Sequence, residues 1–229
     1  MRERSKKTEA SNMMEDSYRH KGLRRSLVKT LKGKGIQNPA VLDAIGKVPR
    51  HFFFEKAFID HAYQDKAFPI GEGQTISQPY TVAFQTELLE LEPGDTVLEI
   101  GTGSGYQACI LLEMGAKVFT IEYNKVLFDR TKDFLPKMGY RPRFFWGDGS
   151  KGLPAFAPYD KIIVTAGAPV VPKALIEQLK ENGKLVIPVG DDRVQRMVRI
   201  TKKQDNKLIK EEFDNFSFVP LLGKHGWKE

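Results

Sequence analysis

The fold is read first from VLEIGTGSGYQACILLEMG, Val97 to Gly115. A strand-type apolar run beginning at Thr96 enters three glycines at alternate positions, Gly101, Gly103 and Gly105, and leaves through an apolar segment of helical period. A strand, a glycine turn and a helix in this order let a ligand approach bare backbone at a helix N-terminus. Moving outward, further strand-type runs lie at Lys117–Glu122, Arg143–Trp146, Lys161–Thr165 and Lys184–Val189. Helical patterns separate them at Tyr106–Met114, Lys125–Met138 and Pro172–Lys180, the last closed by Asn182-Gly183. Strict alternation predicts an α/β chain with a doubly wound, mostly parallel sheet. Two later runs, Arg196–Thr201 and Phe213–Leu222, joined by polar Lys202–Asn206, predict an antiparallel pair at the C-terminal edge.

Before this core the sequence predicts a helical elaboration. Leu23, Leu27 and Leu31 recur every four positions among Lys and Arg, and Gly33 and Gly35 follow. Asn38-Pro39 reads as an N-cap with proline in the first turn of a short helix that stops at Pro49. Residues 1–16 hold almost no apolar side chain and are expected as a disordered basic tail. The expected division is therefore tail, elaboration over 17–78, core over 79–190 and C-terminal strands over 191–229, all but the tail in one domain.

Composition narrows the function. The net charge of +7 sits in residues 1–35, with 11 Lys/Arg against 4 Asp/Glu; the other 194 residues hold 25 of each. A basic binding face on the body is not supported, so a nucleic-acid partner is not expected. No apolar run approaches the ~18 residues of a membrane helix, and the basic N-terminus leads into no signal-type block. The expected location is cytoplasmic. One cysteine, Cys109, excludes an internal disulfide, and four scattered histidines, His20, His51, His61 and His225, give no metal-ligand spacing. No metal is expected.

Three strand ends carry the chemistry. Glu99 precedes the glycines, and a carboxylate there suits a cationic ligand better than a pyrophosphate, which favours S-adenosylmethionine over a dinucleotide. The spacing also departs from G-x-G-x-x-G, because Tyr106 stands where the last glycine would fall. Glu122, 21 residues after Gly101, ends the next strand, where an acid accepts from ribose hydroxyls. Gly147-Asp148-Gly149 ends the third, with room for a flat ring and an acceptor for an adenine amino group. Upstream, Thr75 and Ser77 stand beside a predicted helix start at Ser77–Pro79. Ser77 reads equally as a cap and as part of an anion site at the helix N-terminus.

The segments AYQDKAFPIGEGQTISQPY, VLEIGTGSGYQ, GDG, VTAGAPVVP, GKLVIPVG and FVPLLG, in this order, resemble the protein-L-isoaspartate O-methyltransferase family from about Leu23 to Gly223. The resemblance implies a Rossmann-like class I methyltransferase that uses S-adenosylmethionine to methylate the α-carboxylate of L-isoaspartyl residues in damaged proteins and peptides. It implies Ser77 as the active-site serine with Thr75 beside it, and Gln78, Glu99, Gly101, Gly103, Glu122, Asp148 and Gly149 on the cofactor. Phe68, Pro69, Ile70, Val219 and Leu221 are expected on the substrate. No stable protein partner is implied. The basic tail is not a family requirement, and DKAFPIG departs from the family's more usual Leu before Pro-Ile-Gly.

Two alternatives compete. A methyltransferase acting on RNA or a small molecule would keep the cofactor, yet base amino-group methylation usually shows a [DNS]-P-P-[YFW] loop after the fourth strand, where this chain has TAGAP at 165–169. A non-catalytic relative would be expected to lack the Thr75/Ser77 pair. An α-carboxylate is ionised at neutral pH, its ordinary value being ~3.5 to 4. Hydroxyls without a general base therefore match the carboxylate acceptor.

Overall fold

The computed structural model describes residues 15–227. The expected tail thus lies almost wholly outside the described residues. Its last member, Asp16, is held: Arg24 donates to its two carboxylate oxygens at 3.1 and 2.8 Å. Helix α1 (Tyr18–Gly33) buries Leu27 and Leu31, and α2 (Pro39–Lys47) starts on Asn38, whose side-chain oxygen accepts from Ala40 N at 2.9 Å. The elaboration also contains strands: β1 (Phe68–Gly71) and β2 (Gln74–Ile76) form a hairpin. At its tip Gly71, Glu72 and Gly73 all have positive φ, which a reading for helices passes over.

From α3 (Pro79–Leu89) the chain alternates through β3 (Thr96–Ile100), α4 (Tyr106–Glu113), β4 (Lys117–Glu122), α5 (Lys125–Phe134), β5 (Arg143–Trp146), β6 (Tyr159–Val164) and α6 (Lys173–Glu177) to β7 (Leu179–Gly190). It ends with β8 (Gln195–Lys202) and β9 (Leu208–Phe216). The sheet order is β5-β4-β3-β6-β7-β8-β9, parallel from β5 to β7 and antiparallel at β7-β8-β9. Successive side chains of a strand face opposite ways. Val97, Val118, Ile163 and Val186 accordingly join the core under α1 to α4, while Leu98, Ile100, Ile162, Val164 and Leu185 pack with Leu175 of α6 on the other face.

Several boundaries differ from expectation. The helix expected over 172–180 is a short α6, because Leu179 already pairs with Tyr159 of β6. Asn182-Gly183 is then a bulge inside β7, not a helix stop; a Cβ on Gly183 would lie 2.8 Å from Lys180 O. The helix expected to Met138 gives way at Leu135 to a 3-10 turn carrying Pro136, which cannot donate a helical bond. The run expected as a strand over 213–222 stops at Phe216, and the chain bends so that Val219 O accepts from Gly167 N at 2.8 Å. The histidines are also less scattered than their spacing suggests: His20 and His51 stack at 3.8 Å, and with Asp16 offer ligand atoms within 4.8 Å of one another. Arg24 occupies the Asp16 carboxylate there, and its positive charge opposes a second cation.

Gly105 opens α4 at φ +84°, and a Cβ there would stand 2.8 Å from both Leu135 Cδ1 and Thr131 Cγ2. Gly105→Ala should destabilise by ~1–3 kcal/mol, with melting lowered by roughly 2–4 °C per kcal/mol. Gly139→Ala is the control, since Gly139 has φ +90° but nothing within 4 Å. Calorimetry should show the larger loss at Gly105; equal losses would mean that backbone strain alone sets the cost.

Candidate active site

A cavity of about 250 Å³ lies at the C-terminal ends of β3, β4 and β6. Here the chain turns from β3 toward β4 on one side while β6 lies on the other, the place where open α/β sheets bind ligands. Its floor is the glycine turn. Gly101 has φ +96°, and a Cβ on it would come within 2.6 Å of Thr165 Oγ1. A Cβ on Gly149 would overlap Ile100 Cγ2, so this wall too is built without a side chain. The β1–β2 hairpin contributes Glu72, Gln74, Thr75 and Ile76, and Arg130 of α5 tethers it by donating to Ile70 O at 2.7 Å.

The carboxylates differ in surroundings. Glu122 lines the cavity; its oxygens accept from Gly103 N at 2.8 Å and Asn124 N at 2.9 Å, linking two loops of the rim. Burial raises its pKa, against the pull of those backbone donors. Glu99 does not line the cavity but lies beneath it with 0% exposure, and neither oxygen has a hydrogen-bond partner. Its cross-strand partner Thr120 has its hydroxyl 2.6 Å from that of Thr102. Burial, opposed by the nearby Thr120 hydroxyl although it makes no hydrogen bond of good geometry, and reinforced by the Glu122 charge, pushes the Glu99 carboxyl up to about 8.

Asp148 is placed differently from expectation. It does not line the cavity, and its carboxylate accepts from Ser150 N at 3.0 Å, Ser150 Oγ at 2.6 Å and Lys224 N at 2.9 Å. Its oxygens accept from the C-terminal segment and from Ser150, while the next residue, Gly149, lines the cavity.

A second cleft, of about 910 Å³, opens beside the first, between the start of α3 and residues 214–219. Thr75, Ser77, Thr165 and Val219 line both. Gln78, expected on the cofactor, lines only this second cleft. Leu221 lines the first. Phe68, Pro69 and Ile70 line neither; Phe68 packs against Phe54 and His61 instead. Thr165, which the sequence reading did not select, donates to Gly101 O at 2.7 Å. Its signal was available, since it closes the strand run nearest the glycine turn.

Ser77 is not the cap of α3. Gln78 holds the N-cap position with no side-chain bond, and the helix start is satisfied from fifteen residues upstream, where Asp65 Oδ1 accepts from Tyr80 N at 2.8 Å. Among the described residues nothing hydrogen-bonds the Ser77 hydroxyl, and Ser77 lines both spaces.

A bare glycine floor, the lining acids Glu72 and Glu122 and the buried Glu99 with its unsatisfied oxygens fit a cationic nucleoside ligand such as S-adenosylmethionine. Fold and site together define a class I S-adenosylmethionine-dependent methyltransferase. A family profile described as protein-L-isoaspartate(D-aspartate) O-methyltransferase matches residues 22–226. Proteins called protein-L-isoaspartate O-methyltransferase from Cytophaga hutchinsonii and Christiangramia forsetii are 64% and 60% identical, covering 93% and 91% of this chain and 97% and 98% of theirs. A solved protein-L-isoaspartate O-methyltransferase superposes with a TM-score of 0.80 at 31% identity, over 89% of this chain and 67% of the other. A putative one from Plasmodium falciparum, in complex with S-adenosyl-L-homocysteine, gives 0.74 at 28% identity, over 87% of this chain and 98% of that one. The chain belongs to the protein-L-isoaspartate(D-aspartate) O-methyltransferase family.

Glu99 gives a pH prediction. Its folded value of about 8 lies above the ordinary 4.5, so between them the folded state keeps a proton that the unfolded chain has lost. Its contribution to stability must fall as pH rises through that window. Glu99→Gln should flatten the decline in urea midpoint between about pH 5 and about pH 8 relative to the parent. Parallel curves for the two proteins would place the Glu99 titration outside the window.

Proposed function

We propose that the chain transfers the methyl group of S-adenosylmethionine to the α-carboxylate of L-isoaspartyl residues in damaged proteins and peptides, with Ser77 and Thr75 orienting that carboxylate. The observation that supports this reading is the position of the two residues: Thr75 and Ser77 both line the two spaces at once, and the Ser77 hydroxyl is released from capping by Asp65. The 250 Å³ cavity takes the cofactor, with Gly101, Gly103 and Gly149 giving close approach, Glu122 facing its hydroxyls and Glu99 below, where the positive charge of a bound sulfonium favours the ionised carboxyl. The larger cleft takes the peptide, along Gln78, Tyr80 and residues 214–219. When bound, S-adenosylmethionine supplies an electrophilic methyl group on a cationic sulfur that departs as a neutral thioether.

What remains for the protein is orientation. The acceptor oxygen brings its own electron pair, the new O–CH₃ bond replaces the S–CH₃ bond, and no proton has to move. A hydroxyl donor that holds one carboxylate oxygen aims the other at the methyl group, and apolar Val219 and Leu221 keep water from competing. This is why a site of hydroxyls without a histidine suffices.

Methyl transfer to an isoaspartyl peptide, its aspartyl twin and RNA distinguishes the acceptor classes; transfer to the isoaspartyl peptide alone is expected. Ser77→Ala should lower kcat by roughly 10- to 150-fold, the loss of a charge-assisted hydrogen bond of ~1.5–3 kcal/mol, with cofactor affinity unchanged. Ser77→Thr should retain more activity than Ser77→Ala because it keeps the hydroxyl. Parental turnover in Ser77→Ala would overturn the assignment and make Thr75 the candidate. Glu122→Ala should weaken cofactor binding by a similar 10- to 150-fold in calorimetry, and an unchanged affinity would remove Glu122 from the site.

A further inference from the structure

Arg50 is the largest fully buried side chain of the described residues, with 0% exposure, and it faces the peptide that carries Ser77. It reaches that place from the 3-10 turn at Arg50–Phe53 in the N-terminal elaboration. Its guanidinium makes no bond to a carboxylate. Nη2 donates to Ser77 O at 2.8 Å and to Lys66 O at 3.5 Å, and Nε donates to Ala62 O at 3.0 Å. The guanidinium carbon lies 4.7 Å from the ring centre of Tyr106, a wall of the cofactor cavity, while Nη1 and the Tyr106 hydroxyl are buried without a partner of good hydrogen-bond geometry. Burial lowers the guanidinium pKa to about 10, which leaves it charged at neutral pH. The guanidinium thus spends its bonds on carbonyls of two separate segments and on no carboxylate.

The Ser77 peptide has little else to fix it. Strand β2 ends at Ile76, helix α3 begins at Pro79, and proline offers no N–H between them. Among the described residues no other donor reaches Ser77 O. The orientation of that peptide sets the Cα–Cβ direction of Ser77, hence where its hydroxyl stands between the two spaces.

We propose that Arg50 is a positioning residue for methyl transfer: by holding the Ser77 carbonyl from behind, it places the Ser77 hydroxyl at the junction of the cofactor cavity and the acceptor cleft. The proposal rests on the reading of Ser77 given above. It assigns a catalytic consequence to the elaboration, whose 3-10 turn supplies this contact.

The test is a double-mutant cycle in the full chain, with kcat and KM for an isoaspartyl peptide and calorimetric affinity for S-adenosyl-L-homocysteine. Arg50→Lys keeps the charge but cannot span the same carbonyls, and should lower kcat roughly 10- to 100-fold with product affinity within about twofold. In a Ser77→Ala background the same substitution should cost no more than about twofold, because the hydroxyl it would misplace is gone. Losses that multiply fully would overturn the proposal while leaving the Ser77 reading intact. Parental kcat in Ser77→Ala would overturn that reading, and the proposal with it. If Arg50→Lys does not fold, Arg50→Gln takes its place, with amide exchange over residues 74–78 read beside kcat; parental values of both would refute the positioning role.

Discussion

The three strand ends around the site are joined by a few backbone bonds that leave no space for side chains. Ile121 O at the end of β4 accepts from Gly101 N at 2.9 Å and Thr102 N at 3.2 Å. On the other side Ile100 O accepts from Thr165 N at 2.9 Å, and the Thr165 hydroxyl closes onto Gly101 O. The chain can make all of these contacts only by passing through Gly101 at φ +96°, a conformation disfavoured for any residue with a Cβ. Once the turn is set, α4 starts at Gly105, Glu99 lies under the turn and Glu122 beside it. Both the smaller cavity and its border with the larger cleft follow from this close approach of three strands.

The polar groups buried around the turn are those that stability alone would not choose. Glu99 is a carboxyl with no well-formed hydrogen bond, and Arg50 a guanidinium with no carboxylate bonded to it. Each such charge costs several kcal/mol of desolvation that apolar residues would not. For Glu99 the penalty appears as a carboxyl pushed up to about 8, an acid held largely neutral near pH 7.

Local pattern made the sheet legible. Runs such as Lys117–Glu122 alternate with helical segments, and their order alone implies parallel pairing, which the register confirms. The glycine motif and Glu122 were legible for the same reason, because each sits at a strand end fixed by its own neighbours. What escaped depends on contacts between distant residues. Asp65 caps α3 from the far side of the hairpin, and Arg50 bonds Ser77 across 27 positions. No periodicity announces either. His20 and His51 likewise meet only after α1 has packed. The extent of α6 was misjudged because a bulge at Asn182-Gly183 and a helix stop share the same residues, and only the pairing of Leu179 with Tyr159 separates them.

Asp148 shows how a residue can matter to a pocket it does not line. Burial works against its ionisation, but hydrogen bonds from Ser150 and Lys224 outweigh it and hold the carboxyl below its usual range. The Ser150 hydroxyl in turn accepts from His225 N at 3.0 Å, so the segment after Leu222 is fastened at two successive residues. Trp227 completes the loop, donating from its backbone to Leu221 O at 2.7 Å and from its indole to Gly167 O at 3.0 Å. Gly223 stands so close to Asp148 Oδ1 that a Cβ there would overlap it, so this turn admits no larger residue without moving the acid. Val219 to Leu222, the apolar wall of the cofactor cavity, are thereby braced from behind by a carboxylate at the end of β5. The third strand end serves the site through that wall: it fixes where the chain returns after β9, and hence how closely the two spaces approach each other.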